Sequence, residues 1–196
     1  MPDINVLIDS VQKYITLSIE DKALVYSHFK NKKVKKIKRR ELLLREGDVQ
    51  QYYIFVISGC VRSYSIDKSC NEHILQFATT GWWIGDLYSL KNNEPSRLFI
   101  ETITESNVLL ISKLELSKLF ENIPKLETYF RILAEYAFGT AQRRLIEHLG
   151  LSSLERYLNF KDRYPDVYDI VPKKFIASYI GVSPEFLSKM LKQMRE

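Results

Sequence analysis

Apolar residues recur at helical spacing near the N-terminus of the chain. One face of a predicted first helix carries Val6, Leu7, Val11, Tyr14 and Ile15. A second short helix is predicted to follow Ser18, whose side chain suits an N-cap and which is followed three residues later by Asp21. The chain is therefore expected to begin with two helices.

From Glu41 to Ser112, short apolar runs alternate with turn signals, which is the pattern of β-strands. β-branched and aromatic residues dominate segments 52–57, 60–66 and 99–104. The turn signals between the runs are Gly47-Asp48, Ser58-Gly59, Asp67-Lys68-Ser69 and Asn92-Asn93-Glu94-Pro95. Short, regularly spaced strands predict a sandwich, a roll or a barrel.

Helical spacing returns after Ser112. The sequence Ser112-Lys113-Leu114-Glu115 resembles a capping box, in which the first and last residues each bond the other's backbone. Pro124 suits the first turn of the next helix, because an N–H at that position would have no helical partner. This long helix is predicted to reach about Leu149 and to stop at Gly150.

The long helix carries two apolar stripes. One consists of Leu126, Phe130, Leu133, Ala137 and Thr140, and the other of Tyr129, Ile132, Tyr136 and Gly139. A surface helix needs only one such stripe, so two stripes predict packing on its own domain and on a second partner. The simplest partner is the same helix of a second copy across a two-fold axis. The alternative is a helix buried wholly within one domain.

Segment 171–191 has the pattern of two helices around a tight turn. Its apolar positions are Ile176, Ile180, Val182, Leu187 and Met190. Ala177 supplies a small side chain where the helices cross, and Gly181 suits a positive φ at the turn. Ser183 and Pro184 suit the N-cap and the first position of the second helix. The pattern predicts a helix-turn-helix, with a plain helical hairpin as the alternative.

The second helix of this unit is predicted to enter the major groove of DNA, which is wide enough to admit a helix. Its expected outer face consists of Glu185, Ser188, Lys189 and Lys192. Three further residues are expected to contact phosphates, because hydroxyl and ammonium groups near helix starts favour anions: Ser183, Lys173 and Lys174. The alternative for each lysine is a role in solubility alone.

Composition narrows the class of protein. The chain has 196 residues, of which 45% are hydrophobic and 27% charged, and a net charge of +5, which suits a globular protein and permits a nucleic-acid partner. Cys60 and Cys70 are too few for a disulfide scaffold or a four-cysteine metal site, and no metal site is predicted. The chain has no apolar run of about 18 residues and no secretory pattern, so a cytoplasmic location without membrane contact is expected.

A basic run extends from Lys32 to Arg40. Lysines blunt the exposed edges of sheets, so the first interpretation is a solvated edge strand. The alternative is a patch that binds phosphate groups. Charge alone does not decide between the two.

The order of these parts resembles the Crp/Fnr family of bacterial transcription regulators. Segments 44–48 (LREGD), 53–62 and 85–87 carry the resemblance in the β region, and segment 176–185 resembles the family's DNA-reading unit. The resemblance implies an α+β fold with an N-terminal antiparallel β-roll (jelly-roll-like) sensor domain, a long dimerisation helix and a C-terminal helix-turn-helix (reduced winged-helix) domain. The corresponding expected boundaries are 1–123, 124–149 and 150–196.

The resemblance also places an effector pocket in the β-roll, at Gly85, Asp86, Leu87, Ser96 and Arg97. In nucleotide-binding members a Gly-Glu-Leu stretch contacts the ribose and a later arginine contacts the phosphate. Here Asp86 replaces the glutamate, and Ser96 stands at the arginine position with Arg97 one place late. Side chains alternate across a strand, so this slip turns Arg97 away from the pocket. Cyclic AMP is therefore not the expected effector; no cofactor is predicted, and an unknown small molecule remains open.

The predicted function is that of a homodimeric, sequence-specific transcription regulator that binds double-stranded DNA. The resemblance adds RNA polymerase as a candidate partner and implies that an effector in the roll shifts the pair of long helices. The alternative is a small-molecule sensor that acts through a protein partner and has a degenerate helix-turn-helix. No catalytic residue is predicted, because no catalytic triad order, phosphate loop or zinc spacing is found, so an enzyme is not expected.

Overall fold

The computed structural model describes residues 3–30, 32 and 34–194. Two helices begin the chain, α1 (Asp3–Gln12) and α2 (Ile19–Phe29). Ser18 caps α2 through a capping box with Asp21, as the sequence predicts. Both helices bury apolar residues in one core cluster, including Leu7 of α1 and Phe29 of α2.

The described residues next form eight strands and one short helix. They are β1 (Lys35–Ile37), β2 (Leu42–Leu44), β3 (Tyr52–Ser58), β4 (Val61–Ile66), β5 (Glu72–Ala78), β6 (Trp83–Ile84), α3 (Leu87–Asn92), β7 (Phe99–Thr102) and β8 (Ser106–Ser112). One sheet has the order β1-β8-β3-β6 and the other β2-β7-β4-β5, and the paired strands are antiparallel.

The two sheets enclose an apolar core to which Ile54, Val56, Val61, Ile100 and Val108 contribute. The alternation of side chains along each strand places these residues between the sheets. The antiparallel β-roll expected from the sequence is therefore confirmed, and with it the α+β class.

The basic run supplies edge strand β1, in which Lys35 and Lys36 are exposed and Ile37 is buried. Lys36 pairs with Glu105 at the surface, with 2.8 Å between nitrogen and oxygen. This part of the run therefore agrees with the edge-strand interpretation, and Lys33 lies outside the described residues.

Helices α4 (Lys113–Asn122) and α5 (Lys125–Gly150) follow the roll. The predicted capping box between Ser112 and Glu115 is present at the start of α4. The sequence predicts that α5 stops at Gly150, but Gly150 is still helical and the C-cap is the next residue, Leu151.

The first half of α5 packs on its own roll. Leu126 is 2% exposed and Tyr129 is fully buried, and both join the core that α1 and α2 share with β3 and β8. Phe130 and Leu133 pack against the same cluster. The prediction that Leu126 faces a second copy therefore needs correction, because its side chain is buried within one protomer. Phe130 and Leu133 are partly buried, and their place in the dimer seam stays a prediction.

The second half of α5 is exposed. Ala137 and Thr140, the last members of the first predicted stripe, lie in this exposed half. The large apolar side chains exposed along it are Tyr136, Phe138, Leu145, Ile146 and Leu149. A helix buried wholly within one domain, the alternative from the sequence, does not describe α5.

Four helices complete the described chain: α6 (Ser153–Arg163), α7 (Pro165–Ile170), α8 (Lys173–Ile180) and α9 (Pro184–Gln193). Over residues 151–194 the structure contains no strand, so this part has no wing. The core of the four helices also contains Cys60 and Ile103 of the roll. In the described part of the chain, no helix is long and apolar enough to cross a bilayer.

Candidate functional site

Helices α8 and α9 meet at a tight turn. Gly181 has a φ of 74°, a conformation that a glycine adopts without the penalty of a Cβ. The N–H of Val182 donates to the carbonyl of Ala177 at 3.0 Å, which closes the end of α8. Ala177 and Leu187 are buried between the helices. This is the local geometry of a helix-turn-helix, and we call residues 173–193 the reading unit.

Ser183 begins the second helix of the reading unit as predicted. Its hydroxyl accepts a hydrogen bond from the N–H of Phe186 at 3.1 Å, and Pro184 occupies the first helical position. The pKa of Glu185 lies below its ordinary value because its carboxylate accepts hydrogen bonds from its own backbone N–H and from Ser183. The exposed start of α9 therefore carries a negative charge at neutral pH.

The predicted DNA-facing residues are exposed, and we call the exposed side of α8 and α9 that carries them the predicted DNA surface. The side chains exposed on α9 include Glu185, Ser188, Lys189 and Lys192, and those at the start of α8 are Lys173 and Lys174. The two helices together carry four lysines and one glutamate. The surface is therefore net positive, as contact with phosphates requires.

Phe186 is a residue of this surface that the sequence interpretation missed. Its side chain is 51% exposed although it is large and apolar. The signal was present in the sequence, because Phe186 falls outside the spacing that buries Leu187 and partly buries Met190. An exposed aromatic ring suits apolar contact with the methyl group of thymine.

The residues predicted for an effector pocket surround the start of α3. The carboxylate of Asp86 accepts hydrogen bonds from the N–H of Ser89 at 3.0 Å and from the hydroxyl of Ser96 at 2.7 Å. The N–H of Asp86 donates to the side-chain oxygen of Gln50 at 2.6 Å. A Cβ at Gly85 would lie 2.4 Å from the Gln50 amide nitrogen, so a larger residue there would displace the Gln50 side chain.

These hydrogen bonds occupy the Asp86 carboxylate within segment 85–97, which we call the cassette, and in this bonded state we call it closed. Ser96 is 2% exposed, whereas Leu87 and Arg97 are exposed at the surface. Asp86 takes the position at the start of α3 where an anion would otherwise be attracted, and its own negative charge repels a phosphate. The structure therefore brings Gly85, Asp86 and Ser96 together and leaves Leu87 and Arg97 outside the group.

An aromatic cluster joins the roll to α5. The indole N–H of Trp83 donates to the hydroxyl of Tyr129 at 2.9 Å, and this hydroxyl lies 3.1 Å from the Ser10 hydroxyl. The rings of Trp83 and Phe130 lie 5.0 Å apart. Burial raises the pKa of Tyr129. Trp83 thus serves core packing, whereas Trp82 is 48% exposed.

Comparison with known proteins agrees with this architecture. Residues 34–123 match the family model of the cyclic nucleotide-binding domain. No curated protein sequence matches the chain. The β-roll, the long helix and the reading unit together define a chain in which a cyclic nucleotide-binding-type roll is joined to a helix-turn-helix.

Solved structures with this arrangement include the c-di-GMP responsive global regulator CLP of Xanthomonas campestris, with 18% identity, a TM-score of 0.71, and coverage of 88% of this chain and 91% of that one. FixK2 of Bradyrhizobium japonicum has 20% identity and a TM-score of 0.69, covering 83% and 84%. A putative regulator of the Crp/Fnr family from Eubacterium rectale has 15% identity and a TM-score of 0.68, covering 93% and 88%. The chain has the fold of Crp/Fnr-type regulators, and the resemblance found in the sequence is confirmed at the level of the fold.

Proposed function

We propose that this chain is a homodimeric, sequence-specific DNA-binding transcription regulator of the Crp/Fnr type. The observation that carries the proposal is the reading unit, whose second helix exposes Lys189 and Lys192 and begins at a capped, exposed N-terminus. A helix with these exposed groups fits the major groove, and lysines attract the phosphate backbone. A cytoplasmic location and RNA polymerase as a further partner follow from this role.

The second copy is proposed to bind along the exposed half of α5. Ala134, Phe138, Ala141 and Leu145 are exposed and fall at alternating spacings of four and three, which is the spacing of a coiled-coil seam. Phe138 and Leu145 are 66% and 62% exposed in the single protomer. Ala137 and Thr140 lie beside this seam. Pairing across a two-fold axis would cover these apolar side chains and present two reading units to DNA.

Effector control is proposed to act through the roll without cyclic AMP. In the cassette, the position expected for a phosphate-binding arginine is held by Ser96, whose hydroxyl donates to the Asp86 carboxylate. A cyclic phosphate would therefore find no cation at this position. An effector of another class would act by favouring one arrangement of the roll and the long helices.

Selection of bound sequences from random DNA tests the proposal, and a palindromic motif is the expected result. In gel-shift titrations, Lys189→Ala/Lys192→Ala should weaken DNA binding. The salt slope, which is the slope of log K against log salt concentration, should fall by about one to two, because up to two phosphate contacts are lost. The matched control is Lys113→Ala/Lys118→Ala, which removes two exposed lysines from α4. Failure to select any DNA would reject the regulator and favour a sensor that acts through a protein partner.

A further inference from the structure

The reading unit packs on the free edge of a strand in the roll. β5 is the last strand of its sheet, so the backbone groups on its outer side have no strand partner within that sheet. The hydroxyl of Ser178, in the last turn of α8, accepts a hydrogen bond from the N–H of Ile74 at 3.0 Å and donates to the carbonyl of Glu72. A side chain of the reading unit thus takes the place of a neighbouring strand.

Arg144 reaches the same edge from the long helix. Its guanidinium donates to the carbonyls of Ile74 at 2.6 Å, Leu75 at 2.8 Å and Tyr179 at 3.0 Å. Tyr179 belongs to the last turn of α8, where the helix dipole favours a cation. The guanidinium also lies 4.1 Å from the centre of the Tyr179 ring. One side chain therefore joins α5, the roll and the first helix of the reading unit.

A second arginine reinforces this junction. The buried Arg62 of β4 pairs with Glu101 at 2.6 Å and with Glu72 at 2.5 Å. Its guanidinium lies between two rings, 4.0 Å from the centre of Tyr64 and 3.9 Å from that of Phe175 on α8. Because ion pairs and ring contacts of a guanidinium depend on direction, they favour one orientation of α8 relative to the roll.

We propose that Arg144 is a positioning residue for DNA recognition, which fixes α9 relative to the dimer axis by joining α5, the edge of β5 and the end of α8. The inference rests on the proposed function, because it assumes two reading units in one dimer. Two recognition helices must match the separation of two half-sites, and a loosely held reading unit loses the advantage of binding both at once. The roll thereby acts on the reading unit directly, in addition to its contact with the long helix.

The first test compares Arg144→Gln and Arg144→Lys with Arg143→Gln, the matched control at the neighbouring exposed arginine. The probes are two duplexes, one carrying the palindrome selected from random DNA and one carrying a single half-site. Both Arg144 variants should bind the palindrome about tenfold more weakly or worse and the half-site within about twofold of the natural chain. The lysine variant keeps the charge but lacks the planar fork that serves three acceptors.

The salt slope distinguishes positioning from contact with DNA. Arg144 bonds carbonyls and not phosphates in this proposal, so its variants should keep the slope of the natural chain. Equal losses on the palindrome and the half-site would show that Arg144 only stabilises the reading unit, and unchanged binding to both would show that it positions nothing. Either result overturns the proposal.

The second test needs no DNA. Hydrogen exchange of the Ile74 amide, followed by NMR, reports whether Ser178 stays on the edge of β5. Exchange should be about tenfold faster or more in Arg144→Gln and unchanged in Arg143→Gln. An unchanged rate in Arg144→Gln would overturn the contact itself. If the natural chain selects no DNA, the proposed function fails, and this measurement still decides whether Arg144 holds the reading unit on the roll.

Discussion

The imidazole of His148 lies directly against Gly181, the glycine at the turn of the helix-turn-helix. A Cβ placed on Gly181 would lie 2.7 Å from Cε1 and 3.1 Å from Nδ1 of His148. The long helix therefore touches the turn at a point where a side chain would displace the imidazole. The positive φ of Gly181 adds a second reason for glycine at this position.

Replacement of Gly181 by alanine should destabilise the reading unit. The left-handed conformation costs a non-glycine residue about 1–2 kcal/mol, and displacement of the imidazole adds to this. Urea unfolding followed by circular dichroism gives the free energy of unfolding. Gly150→Ala is the control, because a Cβ there has no atom within 4 Å, and it should be neutral or stabilising by up to about 1 kcal/mol. Equal stability of Gly181→Ala and the natural chain would contradict the contact.

The same histidine predicts a dependence of stability on pH. Burial lowers the pKa of His148 from 6.5, and the neighbouring guanidinium groups of Arg144 and Arg156 lower it further, against opposing effects of the Tyr179 backbone and Glu147. The unfolded chain therefore binds a proton more readily than the folded chain. The contribution of neutral His148 is complete above the unfolded pKa and is lost as pH falls from that value through the lower pKa of the folded chain.

His148→Gln should reduce the loss of stability between about pH 7.5 and pH 5.5, measured as the free energy of unfolding at each pH. Burial also lowers the pKa of His28, so part of the pH dependence should remain. The double variant with His28→Gln should remove more of it. An identical pH profile in His148→Gln and the natural chain would contradict the assignment.

Local signals explain why the reading unit could be predicted from the sequence. Ser18, Ser112 and Ser183 cap their helices through atoms no more than three residues away, so the pattern contains the whole interaction. The left-handed Gly181 is likewise set by its own turn. The order of roll, long helix and reading unit follows from spacings of the same short range.

Long-range contacts explain what the sequence did not reveal. Periodicity identified the apolar face that contains Leu126, but it did not indicate whether that face meets the roll or a second copy. Arg144 gave no signal, because its acceptors are carbonyls 70 and 35 residues away. The slip at Ser96 was visible by counting, whereas its bond to Asp86 depends on how the fold brings the two together.

A charge in the exposed half of α5 should prevent two copies of the chain from forming the proposed dimer. Leu145→Asp places a charge in the proposed seam and should convert the dimer to a monomer, because a buried, unpaired carboxylate is costly. Light scattering coupled to size exclusion measures the molar mass. Leu114→Asp is the control, since Leu114 is 66% exposed on α4, and it should leave the mass unchanged. A dimer that persists in Leu145→Asp would place the interface elsewhere.

Leu126 should behave in the opposite way. It is buried in the core of its own protomer, so Leu126→Ala creates a cavity and should reduce the free energy of unfolding by about 2–5 kcal/mol. The molar mass of the folded protein should not change. Dissociation of the dimer by this variant without loss of stability within the protomer would restore the original assignment of Leu126 to the second copy.

The last prediction is that the cassette does not bind cyclic nucleotides. Ser96 donates to Asp86 in the space where a nucleotide-binding roll presents an arginine, so cyclic AMP and cyclic GMP should leave the melting temperature unchanged. Ser96→Arg supplies a cation for the cyclic phosphate and keeps Asp86 at the position of the ribose-binding acid, so this variant should give a positive shift that saturates with nucleotide concentration. Asp86→Ala/Ser96→Arg lacks the acid and should give a smaller shift. A saturable shift in the natural chain would contradict this account, because binding would then proceed without a cation at position 96.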